Sequence, residues 1–183
     1  DLPALFLFLT LSDILDGGPK QQAAFDFHLK GIPVICDADT GYGNPLNVQR
    51  TVREYESVGV AGIHIEDQVF PKKCGFFEGK QVIPMEEHVQ KIRAALDARR
   101  DKDFVIIARC DALAVNGWLD TIRRCRIYRE AGADVVFVDG INTVEDLKTY
   151  AREMADIPKL YNGMVLPTHE VENDSQDPVQ TSG

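Results

Sequence analysis

The sequence predicts a parallel α/β fold with right-handed crossovers, and a barrel accounts for it better than an open sheet. Three observations lead there. Short β-branched apolar runs alternate with amphipathic helical segments from residue 33 to about 163. The runs are apolar nearly throughout, as parallel strands covered on both faces require. Each run ends in a residue able to do chemistry, so five consecutive strands deliver polar groups to one sheet edge. A barrel gathers such an edge around one pocket, whereas an open sheet spreads it along a line.

The elements follow in order. Residues 1–32 form a divergent N-terminal segment: "ALFLFLTL" lacks a basic flank and a small-residue cleavage site and reads as a buried segment, while "DGGPKQQAAFDFHLKG" has poor helical periodicity. The core spans 33–168 and opens with the strand "PVICDA" (33–38). Asn44 as N-cap and Pro45 at the first helical position start the helix "LNVQRTVREYESV". The strand "AGIHIE" (61–66), the loop "PKKCGFFEGK" (71–80) and the helix "MEEHVQKIRAALDARR" come next. Then come "FVIIAR" (104–109), the helix "WLDTIRRCRIYREA" with Trp118 and Cys125 on its buried face, and "ADVVFVDG" (133–140). Thr143 caps "TVEDLKTYAREM", and "PKLYNG" (158–163) is the last run. Residues 169–183 read as a disordered tail. A complete eight-fold barrel takes about 250 residues, so five to six strand–helix units of one are expected.

Composition narrows the function classes. The chain has 183 residues, 44% hydrophobic and 27% charged, with a net charge of −9. That excess of acid disfavours nucleic acid or an anionic membrane as partner and leaves a small anionic substrate only where local positive charge receives it. Four cysteines without a C-x-x-C pair suggest a reduced, intracellular chain, cytoplasmic by default. No apolar run approaches the roughly 18 residues of a membrane span.

The chemistry concentrates at the strand ends. Asp37 and Asp39 flank one alanine and so point the same way in an extended chain, and Glu66 ends the next run. Three carboxylates on one edge repel unless a cation intervenes, and Mg²⁺ takes one or two carboxylates with water and substrate oxygens. "GYG" after the pair lets backbone approach a ligand. The lysines beside Cys74 would lower its thiol pKa, in a loop long enough to cover a pocket. Arg109 suits a substrate carboxylate, with an ion pair to Asp111 or Glu66 as its competitor. Asp139 and Asn162 begin Asp-Gly and Asn-Gly turns as well as reaching the edge. His64 reads as a satisfied strand histidine.

"DADTGYG", "GIHIEDQ", "PKKCG", "ARCDALAVNG" and "AGADVVFVDG", in this order and spacing, resemble the isocitrate lyase / phosphoenolpyruvate mutase superfamily over residues 33 to about 168. The resemblance implies a (β/α)8 TIM barrel, a homo-oligomer, usually a tetramer, and Mg²⁺ (or Mn²⁺) with small 2-oxo or 2-hydroxy acids. It assigns Asp37, Asp39 and Glu66 to the metal, and Cys74 to acid/base chemistry. Gly75, Arg109, Asp139 and Asn162 then bind substrate. The implied activity is cleavage of a carbon–carbon bond in a 2-methylisocitrate- or isocitrate-like acid through an enolate. Oxaloacetate hydrolysis, a phosphonate-forming mutase and a non-catalytic paralogue are the alternatives. Phe76 stands where the lyase loop has histidine, the family's first strand is not recognisable, and both ends look truncated.

Overall fold

The helix starts are set by side-chain chemistry close to where the sequence places them. In the computed structural model, which describes residues 8–9, 31, 33–73 and 79–162, Asn44 Oδ1 accepts from the N–H groups of Leu46 and Asn47 at 2.9 and 3.3 Å. Asn47 Oδ1 accepts in return from the Asn44 N–H at 3.1 Å. These bonds satisfy three donors that a helix otherwise leaves unpaired, and helix α1 (Pro45–Ser57) follows. The others are α2 (Met85–Ala98), α3 (Leu113–Glu130) and α4 (Val144–Glu153), the last capped by Thr143 as expected. Helix α3 begins earlier than the predicted Trp118, but Gly117 at φ 76° and ψ −178° breaks it, and the predicted segment is the part beyond that break.

Six strands form one parallel sheet: β1 (Phe8–Leu9), β2 (Ile35–Asp37), β3 (Gly62–Glu66), β4 (Val105–Cys110), β5 (Val135–Val138) and β6 (Lys159–Leu160). Their order in the sheet is their order in the chain. A doubly wound sheet would reverse direction somewhere; a sheet that advances one neighbour at a time is wound as a (β/α) barrel is. The six strands are thus a partial barrel-type array. The first strand, which the sequence does not reveal, is the pairing of Phe8 with Ile35 and Leu9 with Cys36. Two residues are too few to show a period.

Strand alternation divides the core in two. Outward residues of β2 to β4 (Cys36, Ile63, Ile65, Ile106) pack on Val48, Val52 and Tyr55 of α1 and on Ala95 and Ala98 of α2. Farther along, Ala108, Cys110, Val136 and Val138 pack on Ile92, Cys125, Tyr128 and Tyr150. Trp118 is only partly buried, its Nε1 donating to Asp146 at 2.9 Å. The opposite face carries Ile35, Ile107 and Phe137 in a small apolar cluster of its own. No helix among the described residues is long and apolar enough to cross a membrane.

Strands β3 and β4 meet closely at Gly62, where a methyl group would lie 2.5 Å from the Val105 carbonyl oxygen. That oxygen belongs to the neighbouring backbone and cannot give way. Gly62→Ala is therefore expected to lower stability by about 1–3 kcal/mol, measured as the urea midpoint at unchanged slope.

Candidate active site at the carboxyl edge of the sheet

The face that carries Ile35, Ile107 and Phe137 ends in charge. Counting in twos gives Ile35 then Asp37, His64 then Glu66, Ile107 then Arg109 and Asp111, Phe137 then Asp139. Register puts Asp37 beside His64, Glu66 beside Arg109, and Arg109 beside Phe137. The Arg109 guanidinium lies over the Phe137 ring, 5.5 Å from its centre, and His64 meets the same ring edge-on at 5.7 Å. Leu160 belongs to this face, and Asn162 follows it by two residues.

Asp39 arrives by a turn and not by strand alternation, which corrects the expectation of an extended Asp37–Asp39 pair. Strand β2 ends at Asp37, and Asp39 stands at φ 49°, in the left-handed region that aspartate tolerates better than most residues. Its N–H donates to Asp37 Oδ1 at 2.8 Å, and its carbonyl accepts from the Glu66 N–H at 2.8 Å. The glycines after it allow close packing against helix α1. A Cβ at Gly41 would lie 2.6 Å from Val48, and one at Gly43 2.5 Å from the Asn47 side chain.

The three carboxylates share one neighbour. Lys72 Nζ lies 2.5 Å from Asp39 Oδ1, 3.2 Å from Asp37 Oδ2 and 3.6 Å from Glu66 Oε2. Burial opposes the charged form of Lys72, but the hydrogen bond to Asp39 and the charges of Glu66, Asp37 and Asp39 prevail and hold its pKa above the ordinary ammonium value. Asp37 is also buried, yet the charges of His64 and Lys72 and the Asp39 N–H bring it below the usual carboxylate range. Glu66 goes the other way: fully buried, it is pushed up to about 8 by desolvation, which the nearby Arg109 charge only partly offsets. Neither Glu66 oxygen accepts a hydrogen bond among the described residues.

Arg109 is held from three sides. Its Nε and Nη2 donate to Asp111 at 2.9 and 3.0 Å, while Nη1 lies 3.3 Å from Glu66 and Nη2 3.2 Å from Asp139. Lys80 Nζ bridges the same two aspartates, 3.0 Å from Asp111 and 2.6 Å from Asp139. Both ion pairs weighed for Arg109 from the sequence are present, and Asp139 adds a third. Altogether Asp37, Asp39, Glu66, Asp111 and Asp139 face Lys72, Lys80 and Arg109: five acids against three cations, an excess that equals the charge of one divalent ion once Glu66 gives up its proton. Buried Glu66 oxygens without donors and an all-oxygen set suit a hard cation such as Mg²⁺. Among the described residues no three acidic or histidine groups already close on a metal-sized point; the point they share is taken by the Lys72 ammonium.

The loop after β3 is fastened at its root. Gln68 Oε1 accepts from the Lys73 N–H at 3.0 Å, and its Nε2 donates to the Lys73 carbonyl at 3.0 Å and to Asp111 at 3.1 Å. Cys74 and Gly75 lie outside the described residues. Of the two lysines expected to act on Cys74, Lys72 turns instead to the carboxylates. Beneath the site, Asp67 accepts from the Asp111 N–H at 2.8 Å, from Tyr128 Oη at 2.7 Å and from Arg124 Nη1 at 3.1 Å. His88 is fully buried against Tyr128, ring centres 4.6 Å apart, and neither nitrogen has a hydrogen-bond partner among the described residues.

Of the residues singled out in the sequence, Asp37, Asp39, Glu66, Arg109 and Asp139 meet in one constellation. Lys80, Asp67 and the role of Lys72 were missed. Asp67 had a signal, since it follows Glu66 directly at a strand end; Lys80 lies 14 residues beyond that strand end and had none.

The chain resembles known proteins over most of its length. The family model described as phosphoenolpyruvate phosphomutase matches residues 21–176. The 2,3-dimethylmalate lyase of Eubacterium barkeri is 52% identical over 118 residues, 64% of this chain but 41% of that protein. A crystal structure of 2,3-dimethylmalate lyase, described as a PEP mutase/isocitrate lyase superfamily member, superposes with a TM-score of 0.72 at 34% identity, over 87% of this chain and 66% of the other. Phosphonopyruvate hydrolase in complex with oxalate and Mg²⁺ gives 0.61 at 28% identity, over 81% and 63%.

Two outcomes are expected. Asp67→Ala leaves the buried Tyr128 hydroxyl and Asp111 N–H without their acceptor, while Arg124 keeps Asp120 at 2.7 Å; it should cost about 1–3 kcal/mol, read from urea denaturation. Burial, with the Lys91 and Arg124 charges, holds His88 down to about 3. The unfolded chain therefore gains a proton below about 6.5 that the folded chain refuses. Stability should fall as pH drops from about 6.5 toward 3, and His88→Leu should flatten that part of the profile, measured as urea midpoints at pH 7 and 4.5.

Proposed function

Because the chain belongs to the phosphoenolpyruvate mutase/isocitrate lyase superfamily, we propose that it carries the divalent-metal and substrate site of a carbon–carbon lyase acting on a small 2-hydroxy or 2-oxo di- or tricarboxylic acid. The chain spans less than half the length of the dimethylmalate lyase it matches, and the proposal concerns the part of the site that these strands build. The observation that carries it is the convergence of Asp37, Asp39 and Glu66 around one cationic point, with buried Glu66 oxygens that no donor among the described residues satisfies.

Asp37, Asp39 and Glu66 would hold Mg²⁺ or Mn²⁺ directly or through water. The bound ion supplies Lewis-acid polarisation to the substrate's oxo and carboxylate oxygens. Arg109, kept planar and charged by Asp111, turns its guanidinium edge to the same rim and receives a substrate carboxylate together with Asn162 and Gly75. Asp139 and Lys80 fix Arg109 from the far side. The reaction is a retro-aldol type cleavage. A general base takes the substrate hydroxyl proton, the hydroxyl-bearing carbon becomes the carbonyl of one product as its C–C bond breaks, and the bonding electrons pass to the other fragment as an enolate. Cys74, on the loop rooted at Gln68, returns a proton to that fragment. The "KKCG" run, by its resemblance to the lyase loop, supports a lyase or hydrolase over a mutase. Self-association belongs to the same proposal, supported by Phe70 and Leu119 lying 74% and 87% exposed.

The test is the melting temperature of the chain with Mg²⁺, with oxalate, and with both. A ligand at 100 times its Kd stabilises by about 2.7 kcal/mol, a rise of about 5–10 °C for a chain of this size. The rise should need both components and vanish in Asp39→Ala. No rise with both present overturns the proposal.

A further inference from the structure

We infer that Lys72 is an exchangeable counter-cation: its ammonium keeps the seat shared by Asp37, Asp39 and Glu66 until a divalent cation arrives, and cation entry turns the side chain out. The inference rests on the metal-site reading above and adds the device that governs access to it.

The geometry singles out Lys72 among the three cations of the cluster. Lys80 Nζ is locked between Asp111 and Asp139, its side chain 2% exposed. Arg109 is gripped by Asp111 through two hydrogen bonds. Lys72 alone of the three touches Asp37 and Asp39, and its side chain is 26% exposed, so a path to water exists. Its hold on the seat is uneven. It lies close to Asp39, but at 3.6 Å from Glu66 it leaves that carboxylate without a hydrogen bond. Although an ammonium has three donors, this one reaches only two of the three carboxylates within hydrogen-bond distance; a doubly charged ion with several coordination positions suits all three.

The two cations cannot share the seat. A metal among these oxygens would stand within a few ångströms of Nζ, and in this buried setting like charges repel strongly. The backbone does not need to move, because the next residue, Lys73, is pinned at both its N–H and its carbonyl by Gln68. Exchange is then a side-chain swing about a fixed main chain. Until it happens, the ammonium screens the carboxylates from one another, which lets the metal-free chain keep them together.

Two measurements on the 183-residue chain test this. The first is acetylation of lysines by acetic anhydride, read by mass spectrometry with exposed Lys102 as internal reference. The second is Mn²⁺ uptake, read from the loss of the free-ion EPR signal. Saturating Mn²⁺ should raise the acetylation rate of Lys72 severalfold and leave Lys102 unchanged, the reverse of the protection that a ligand ordinarily gives. Lys72→Met, with no competitor in the seat, should bind Mn²⁺ at least about tenfold more tightly if the seat is free less than a tenth of the time. Mn²⁺ uptake with Lys72 labelling unchanged or slowed overturns the exchange and leaves the metal site standing. Absence of uptake by both chains withdraws the metal site, and the exchange falls with it.

Discussion

Carboxylates crowded at one end of a buried sheet face must be neutralised, and much of this molecule follows from that requirement. Desolvation alone would protonate them or drive them apart. Here the acids are interleaved with bases instead, in a chain that runs Asp39, Lys72, Glu66, Arg109, Asp111, Lys80, Asp139. Its members come from four strand ends and one loop. The sheet's register, the left-handed turn at Asp39 and the fastening of the loop by Gln68 all position partners along it. Pulling any element away leaves a like-charged pair or an orphaned ion in a place that water reaches poorly.

The support lies one layer down. Asp67 takes no part in the rim, yet it ties the Asp111 backbone to Tyr128 and Arg124, and its own carbonyl accepts from the Ile83 N–H at 2.9 Å. A single buried carboxylate thereby links β3, β4, α3 and the stretch that leads into α2. Rigid backing of this kind lets the residues above hold geometry without being rebuilt each time a ligand arrives.

How much of this was legible in the sequence depended on the range of the interaction. The strands from 33 onward, the capping of α1 by Asn44 and of α4 by Thr143, and the strand-end positions of Asp37, Glu66, Arg109 and Asp139 are local facts, set by period and by cap chemistry. The short first strand was invisible, because two residues carry no pattern and its pairing with β2 is a long-range event. A lysine partner for Glu66 could be expected from the sequence, but that it is Lys72, and that Lys72 also reaches Asp37 and Asp39, depends on contacts as many as 35 residues apart. That Gly41 and Gly43 make room for helix α1 is likewise a matter of packing and not of pattern. Spacing shows which residues reach an edge, and only the packed structure shows which of them meet.

The grip of Gln68 on Lys73 has an evolutionary side. It holds main-chain atoms, which every residue but proline supplies, and not a side chain that would have to be retained. A change of side chain at position 73 therefore leaves the loop's point of departure where it is.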